Sequence, residues 1–121
     1  MDMLYYIYIG SNRVTIDHLS KITGGMFMAV SSCNKAAKVI DGIRERYNTS
    51  ILYEESTPQK DSQNITFLHK RFPRVYIILI TEGLQKEHRK LYLQAGVNNT
   101  LSPMASEESL LQMVKFLRLR K

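Results

Sequence analysis

Short runs of apolar residues alternate along this chain of 121 residues with segments in which apolar residues recur every three or four positions. The runs are rich in β-branched and aromatic residues, which is typical of strands. The spaced segments are typical of helices with one buried face. We therefore predict five strands alternating with five helices. Such an order favours a parallel sheet with helices on both faces and right-handed crossovers.

The apolar runs place the strands, and two of them are expected to be buried on both faces because they show no polar alternation. The predicted strands are residues 4–9, 26–30, 51 to 54 or 55, 75–81 and 97–101. Pro58 is expected to end the third strand, since proline has no N–H for the ladder. Two carboxylates, Glu54 and Glu55, thus lie at the carboxyl end of a central strand, the edge where open α/β sheets usually bind ligands.

The helices are predicted from their apolar stripes and capping residues. The first spans residues 14–23 and the fourth residues 87–95, and glycine ends both. Asp61 is expected to cap the third helix after a polar loop at residues 56–60, and Ser106 to cap the fifth. The expected inward residues are Ala36, Val39, Ile40, Ile43 and Tyr47 in the second helix, Ile65, Leu68 and Phe72 in the third, Leu84, Leu91 and Ala95 at the fourth, and Leu110, Leu111, Val114 and Leu117 in the fifth.

Composition narrows the classes of function. The single cysteine, Cys33, excludes an internal disulfide and a cysteine-rich zinc site. No apolar run approaches the roughly 20 residues that span a bilayer, so a cytoplasmic location is expected. The net charge of +6 admits nucleic acid or an acidic membrane surface as a partner. The basic residues, however, fall on outer faces and last turns of predicted helices, so we expect solvated faces and no nucleic-acid partner.

The order and spacing of the elements resemble a response-regulator receiver domain, the CheY-like fold, over nearly the whole chain. Glu54 and Pro58 have the spacing of the family's phosphate-accepting Asp and the proline after it. Thr81 stands where the family's fourth strand ends in a hydroxyl residue. Residues 95–100, Ala-Gly-Val-Asn-Asn-Thr, are similar to the stretch that leads into the fifth strand. The resemblance implies an α/β fold with a five-stranded parallel sheet in the order 2-1-3-4-5.

The resemblance also implies that most of the phosphorylation residues are replaced. At the acceptor position Glu54 carries its carboxylate one methylene further, about 1.5 Å, and misplacement near 1 Å is already costly in an oriented site. Gly10 and Ser11 stand where the family has the acidic pair that holds Mg²⁺. Because phosphoryl transfer depends on positioning and charge neutralisation by several groups together, these losses argue against phosphorylation.

Two further positions of the family pattern differ. Ser102 or Pro103, depending on one gap, takes the place of the lysine after the fifth strand, and Thr100 takes that of the aromatic switch residue. Thr81 alone of the expected functional residues is kept, either as a relic of the switch or as a partner for a local backbone group. The expected pocket is thus degenerate and is formed by Gly10, Ser11, Glu54, Glu55, Thr81 and Ser102, with no metal or cofactor.

The function expected from the resemblance is that of a pseudo-receiver, a non-catalytic, phosphorylation-independent module of signal transduction. Its partner would be another protein or a second copy, bound through the face of helix 4, strand 5 and helix 5. That face carries Lys86, Arg89, Lys90, Glu107, Glu108, Lys115 and Arg118, and such mixed charges could pair across a two-fold axis.

Two alternatives remain open. Glu54 could be a divergent phosphoacceptor. Residues 1–121 could instead be one receiver-like domain of a longer protein, namely the N-terminal regulatory module of an enzyme such as a bacterial sugar transferase.

Overall fold

A computed structural model describes residues 3–120. The strands are β1 (Tyr5–Ile9), β2 (Met26–Val30), β3 (Thr49–Glu54), β4 (Tyr76–Ile80) and β5 (Asn99–Leu101), and the helices are α1 (Arg13–Thr23), α2 (Cys33–Asp41), α3 (Pro58–Arg71), α4 (Lys86–Ala95) and α5 (Glu107–Leu119). All neighbouring strands are parallel, in the order β2-β1-β3-β4-β5. The predicted fold class and strand order are therefore confirmed. Within residues 3–120 no helix is both long enough and apolar enough to cross a membrane.

The core has two layers, one on each face of the sheet. In β1, Ile7 and Ile9 point into the layer beneath α2, α3 and α4, whereas Tyr6 and Tyr8 point into the layer beneath α1 and α5. This alternation follows from the period of two along a strand. β3 and β4 contribute buried side chains to both layers, as their unbroken apolar sequences predict.

Two helix boundaries differ from the prediction by more than one residue. α2 ends at Asp41, and a 3-10 turn at Arg46–Asn48 leads into β3, so the expected helical face as far as Tyr47 is wrong. Gly42 follows the last helical residue, and glycine is a poor helix former. α3 begins at Pro58 with Thr57 as its N-cap, because proline has no N–H to lose in a first turn. Asp61 therefore lies inside α3 and does not cap it.

Smaller corrections concern which side chains face the core. Leu111 of α5 was expected to be buried but is 52% exposed. In α4 the fully buried residue is Tyr92, while Leu91 is only partly buried. β5 is shorter than predicted, because Asn98 precedes it and uses its side-chain oxygen to accept the N–H of Ile77 at 2.8 Å.

Both ends of α5 are attached to the body of the domain. Before its first turn, the Ala105 carbonyl oxygen lies 2.6 Å from Nε2 of His18 on α1. After its last turn, Arg120 Nη2 donates to the carbonyl oxygens of Tyr47 and Arg74, both at 3.0 Å. The Arg120 guanidinium also lies 5.0 Å from the ring centre of Tyr76, and its burial lowers its pKa. These contacts hold α5 against the loops that precede β3 and β4.

Candidate functional site

The carboxylate of Glu54, at the end of β3, is turned towards the loop between β1 and α1. Oε1 accepts hydrogen bonds from the Tyr8 hydroxyl at 2.7 Å and from the Asn12 N–H at 2.9 Å. Oε2 accepts the Ser11 N–H at 3.4 Å. Asn12 caps α1, so the carboxylate lies at the positive end of that helix. Burial, and secondarily the bond to Glu54, raises the pKa of Tyr8, so this hydroxyl remains a donor at neutral pH.

Gly10 makes this arrangement of Glu54 possible. A Cβ atom at position 10 would lie 2.6 Å from both Cβ and Cδ of Glu54, which is closer than real contacts allow. The φ angle of Gly10 is +154°, a value that L side chains rarely adopt. The absence of a side chain at this position therefore lets the Glu54 side chain lie across the end of β1.

Glu55 forms a hydrogen bond on the other side of β3, with Thr81, the residue that follows β4. Thr81 donates its hydroxyl to Oε1 of Glu55 at 2.7 Å and accepts the N–H of Gly83 at 3.2 Å. The Glu55 N–H donates to the carbonyl oxygen of Ile80 at 3.0 Å. The hydroxyl of Thr81 is thus engaged both by a carboxylate and by a backbone group. Ser102 lies apart from these pairs, exposed in the turn after β5, where its carbonyl oxygen accepts the Ala105 N–H at 3.1 Å.

A cleft of about 350 Å³ opens beside Glu54, between the ends of β1 and β3 and the first turns of α2 and α3. Cys33 lies on its wall at the start of α2. Burial, and then the charge of Asp61, raises the pKa of this thiol to about 11. Cys33 is therefore protonated at neutral pH, and an unreactive thiol is what such an environment favours.

Asp61 is a buried polar residue whose role the sequence did not reveal. It is 1% exposed and accepts the Tyr53 hydroxyl at 3.1 Å, the Ser56 N–H at 2.7 Å and the Tyr92 hydroxyl at 2.8 Å. Asn64 donates to the same Tyr53 hydroxyl at 3.0 Å. Asp61 thereby joins β3, α3 and α4. Two tyrosines within apolar stretches are the signal that could have indicated a buried acceptor, since buried hydroxyls need partners.

The charged residues of the predicted docking face are exposed on α4 and α5, which pack on opposite faces of the sheet. Within residues 3–120 none of them forms an intramolecular ion pair. On α5, Glu107, Glu108 and Lys115 surround the exposed side chain of Leu111 in a shallow, mainly apolar depression. The structure brings these three together and leaves Lys86, Arg89 and Lys90 on α4 as separate exposed charges.

Comparison of the sequence with protein-family models and with curated proteins finds no match. Solved structures do match. A CheY-like protein (TadZ) from Pseudomonas aeruginosa PAO1 has a TM-score of 0.82 at 13% identity, covering 100% of this chain and 97% of that one. The fold is that of a receiver domain.

Two further solved receiver structures are similar to this chain. The signal receiver domain of an HD domain-containing protein from Pseudomonas fluorescens Pf-5 has a TM-score of 0.79 at 14% identity, covering 97% of this chain and 88% of that one. An atypical orphan response regulator with a phosphorylation-independent regulatory mechanism has a TM-score of 0.74 at 12% identity, covering 96% of this chain and 97% of that one. At such identities the likeness establishes the receiver fold alone.

The residues at the carboxyl edge of this receiver fold do not fit the Mg²⁺ that phosphorylated receivers use. Magnesium takes oxygen ligands in octahedral geometry. Here the loop after β1 directs two N–H groups, of Ser11 and Asn12, at the same Glu54 carboxylate that a cation would need. In the part of the chain that the structure describes, no group of three or more His, Cys, Asp or Glu residues is arranged to hold a metal ion.

Proposed function

We propose that this receiver domain works without phosphorylation, as a non-catalytic module that docks a protein partner. The observation that carries the proposal is the state of Glu54, whose carboxylate already has three hydrogen-bond donors from within the domain. A nucleophile must present a free lone pair to phosphorus in an oriented geometry. The Tyr8 hydroxyl and the Asn12 N–H already engage both lone pairs of Oε1, which leaves only Oε2, itself turned towards the Ser11 N–H at 3.4 Å.

Thr81 supports the same proposal from the neighbouring strand. In a receiver that switches, a hydroxyl at the end of β4 would have to turn towards a phosphoryl group. Here the Thr81 hydroxyl already donates its proton to the Glu55 carboxylate at 2.7 Å. Phosphoryl chemistry also needs cations to neutralise the developing charge. The pocket offers N–H groups and Lys60 at its wall but no set of metal ligands within residues 3–120. The phosphorylation-independent mechanism of the structurally similar orphan regulator supports the proposal by analogy.

The surface proposed for the partner is the face of α4, β5 and α5. Its exposed Leu111 is surrounded by Glu107, Glu108 and Lys115, so an apolar centre lies within a charged rim. A second cleft between β5 and α5, of about 340 Å³, includes Phe116, which is 50% exposed. An apolar centre with a polar rim is the usual anatomy of a protein–protein interface. The rim charges would orient the partner and speed its association.

The experiment that tests the proposal is incubation of the domain with acetyl phosphate and Mg²⁺, followed by measurement of the intact mass. We expect no phosphoryl adduct, because neither the nucleophile nor the metal ligands are available. The matched control is a receiver domain with a complete acidic pocket, treated in parallel. An adduct that disappears in the Glu54→Gln variant would refute the proposal and establish the alternative, a divergent phosphoacceptor.

A further inference from the structure

β2 is an edge strand, and within residues 3–120 no other strand pairs with its outer side. It is the first strand in the sheet order, and Met26 and Met28 are 54% and 46% exposed. Between Ile22 and Asn34 no residue is charged and none is proline. Its register with β1 runs without a bulge from Tyr5↔Met26 to Ile9↔Val30. Proteins normally protect open edges with charges, proline or bulges, because an open edge is a template for another strand.

The opposite edge of the same sheet is protected in the expected way. β5 has only three residues, Asn99–Leu101. Its exposed residues Asn99 and Thr100 are polar, and the Asn99 side-chain oxygen accepts the Thr100 N–H at 2.8 Å. That donor is thus used within the strand. Of the two edges, only β2 combines five residues, a fully apolar sequence and a regular register.

The backbone groups of β2 that face outwards can be assigned from those that face β1. The Met26 N–H donates to the Leu4 carbonyl oxygen at 2.9 Å, and the Val30 carbonyl oxygen accepts the Gly10 N–H at 3.0 Å. Successive residues of a strand direct their backbone groups to opposite sides. Met26, Met28 and Val30 therefore bond to β1, while the N–H and C=O of Phe27 and Ala29 point away from the sheet.

We propose that β2 pairs in antiparallel fashion with β2 of a second copy of the chain, which joins the two sheets across a two-fold axis. If the axis passes between the two Met28 residues, Phe27 of each copy lies opposite Ala29 of the other. All four outward N–H groups then meet outward carbonyl oxygens. The Met28 side chains face one another in the close, non-hydrogen-bonded position of an antiparallel ladder, and Met26 lies opposite Val30 of the second copy.

A second copy fits this edge better than an unrelated extended peptide. The pairing is self-complementary, so one axis satisfies every outward donor and acceptor with the same five residues. No charge on β2 would repel its copy. Both strands are already ordered within their sheets, whereas a free peptide would pay the entropy of becoming extended. The proposal goes beyond the proposed function and leaves the α4–β5–α5 face free at the other end of the sheet.

The test is the molar mass by light scattering across a concentration series. We expect the unmodified domain to approach twice its chain mass of 14.0 kDa. Met28→Lys places two ammonium groups opposite each other at the axis and is expected to return the mass to that of one chain. Ala29→Pro removes one outward donor without touching the bonds to β1 and should do the same. Thr100→Lys, on the protected edge, is the matched control and should keep the mass of the unmodified domain.

Amide exchange provides a second measurement. The Phe27 and Ala29 N–H groups should be protected in the unmodified domain and exchange quickly in Met28→Lys, while the amides of β1 and β3 stay protected in both. That pattern shows that the variant is folded but unpaired. A domain that remains a single chain at every concentration overturns the proposal, and so does a dimer whose mass neither β2 variant changes. If only Arg118→Glu lowers the mass, the interface involves α5 and β2 pairing is refuted, whatever the acetyl phosphate experiment shows.

Discussion

Replacing Asp61 with alanine should destabilise the domain more than any single surface change. The carboxylate accepts three hydrogen bonds in a position that is 1% exposed. Burial and the Asp61 carboxylate raise the pKa of Tyr92, and burial is also the main cause of the raised pKa of Tyr53, so both hydroxyls are protonated donors at neutral pH. Without the carboxylate, the buried hydroxyls of Tyr53 and Tyr92 and the Ser56 N–H lose their acceptor.

The magnitude follows from those three donors. Each buried donor left unsatisfied costs about 1–3 kcal/mol. The Ser56 N–H lies near the surface, so the lower half of this range applies to it, whereas Asn64 donates to the Tyr53 oxygen and cannot replace the acceptor that the Tyr53 O–H loses. With one donor at about 1–2 kcal/mol and two at about 1–3 kcal/mol each, we expect Asp61→Ala to lower the free energy of unfolding by about 3–8 kcal/mol, out of a typical total of about 5–15 kcal/mol. Asp61→Asn keeps one acceptor oxygen and should lose roughly half as much.

Urea unfolding followed by circular dichroism measures this loss. Ser62→Ala, one residue further along α3, removes a hydroxyl that bonds only to the nearby Gln59 carbonyl oxygen and is the matched control. A double-mutant cycle with Tyr92→Phe should give a coupling of about 1–3 kcal/mol between the two side chains. A loss below about 1 kcal/mol for Asp61→Ala, or a coupling near zero, would show that Asp61 does not hold α4 to the sheet.

Two further predictions concern β1 and the glycine that follows it. Gly10→Ala should lower the free energy of unfolding by about 2–4 kcal/mol, because the new methyl group would meet Glu54 and the backbone would be strained. The control is Gly83→Ala, where a Cβ meets nothing within 4 Å and the free energy of unfolding should change little. Equal effects of the two variants in urea unfolding would contradict the close contact between Gly10 and Glu54. Stability should also fall in alkali. Burial raises the pKa of Tyr6 from 10.0 to about 12. The stability that the protonated Tyr6 hydroxyl contributes to the folded state is therefore complete below pH 10. It is lost as the pH rises towards 12, by about 1.4 kcal/mol per pH unit. Tyr6→Phe should flatten this decline, and an unchanged slope would contradict the assignment.

The parts of the fold that sequence predicted are those that depend on local pattern. The apolar runs of β3 and β4 indicated burial on both faces, and Ser106 indicated the start of α5, where its hydroxyl oxygen accepts the Ser109 N–H at 3.1 Å. The end of α2 was missed because Ile43 and Tyr47 keep a helical spacing after Gly42. The spacing shows only that these residues face the same way in a helix, and glycine ended the helix before they could.

The candidate site was harder to predict, because its contacts join residues distant in sequence. Glu54 was identified as a position of interest from its place at a strand end, and Gly10 from the resemblance to receiver domains. That the Glu54 side chain would lie against the loop after β1 depends on contacts between residues 42 or more positions apart and on the absence of a Cβ at position 10. Asp61 resembled a helix cap, and only the packing of Tyr53 and Tyr92 over α3 shows that it is an internal acceptor.

The attachment of α5 at both ends has a consequence for recognition. His18 and Arg120 hold the helix to α1 and to the loops below β3 and β4, so α5 has little freedom to tilt or slide. A surface that is already in its bound geometry loses little conformational entropy when a partner arrives. Specificity on the proposed docking face would therefore be determined by the side chains displayed along α5, and variants that exchange those side chains should redirect binding without altering the backbone beneath them.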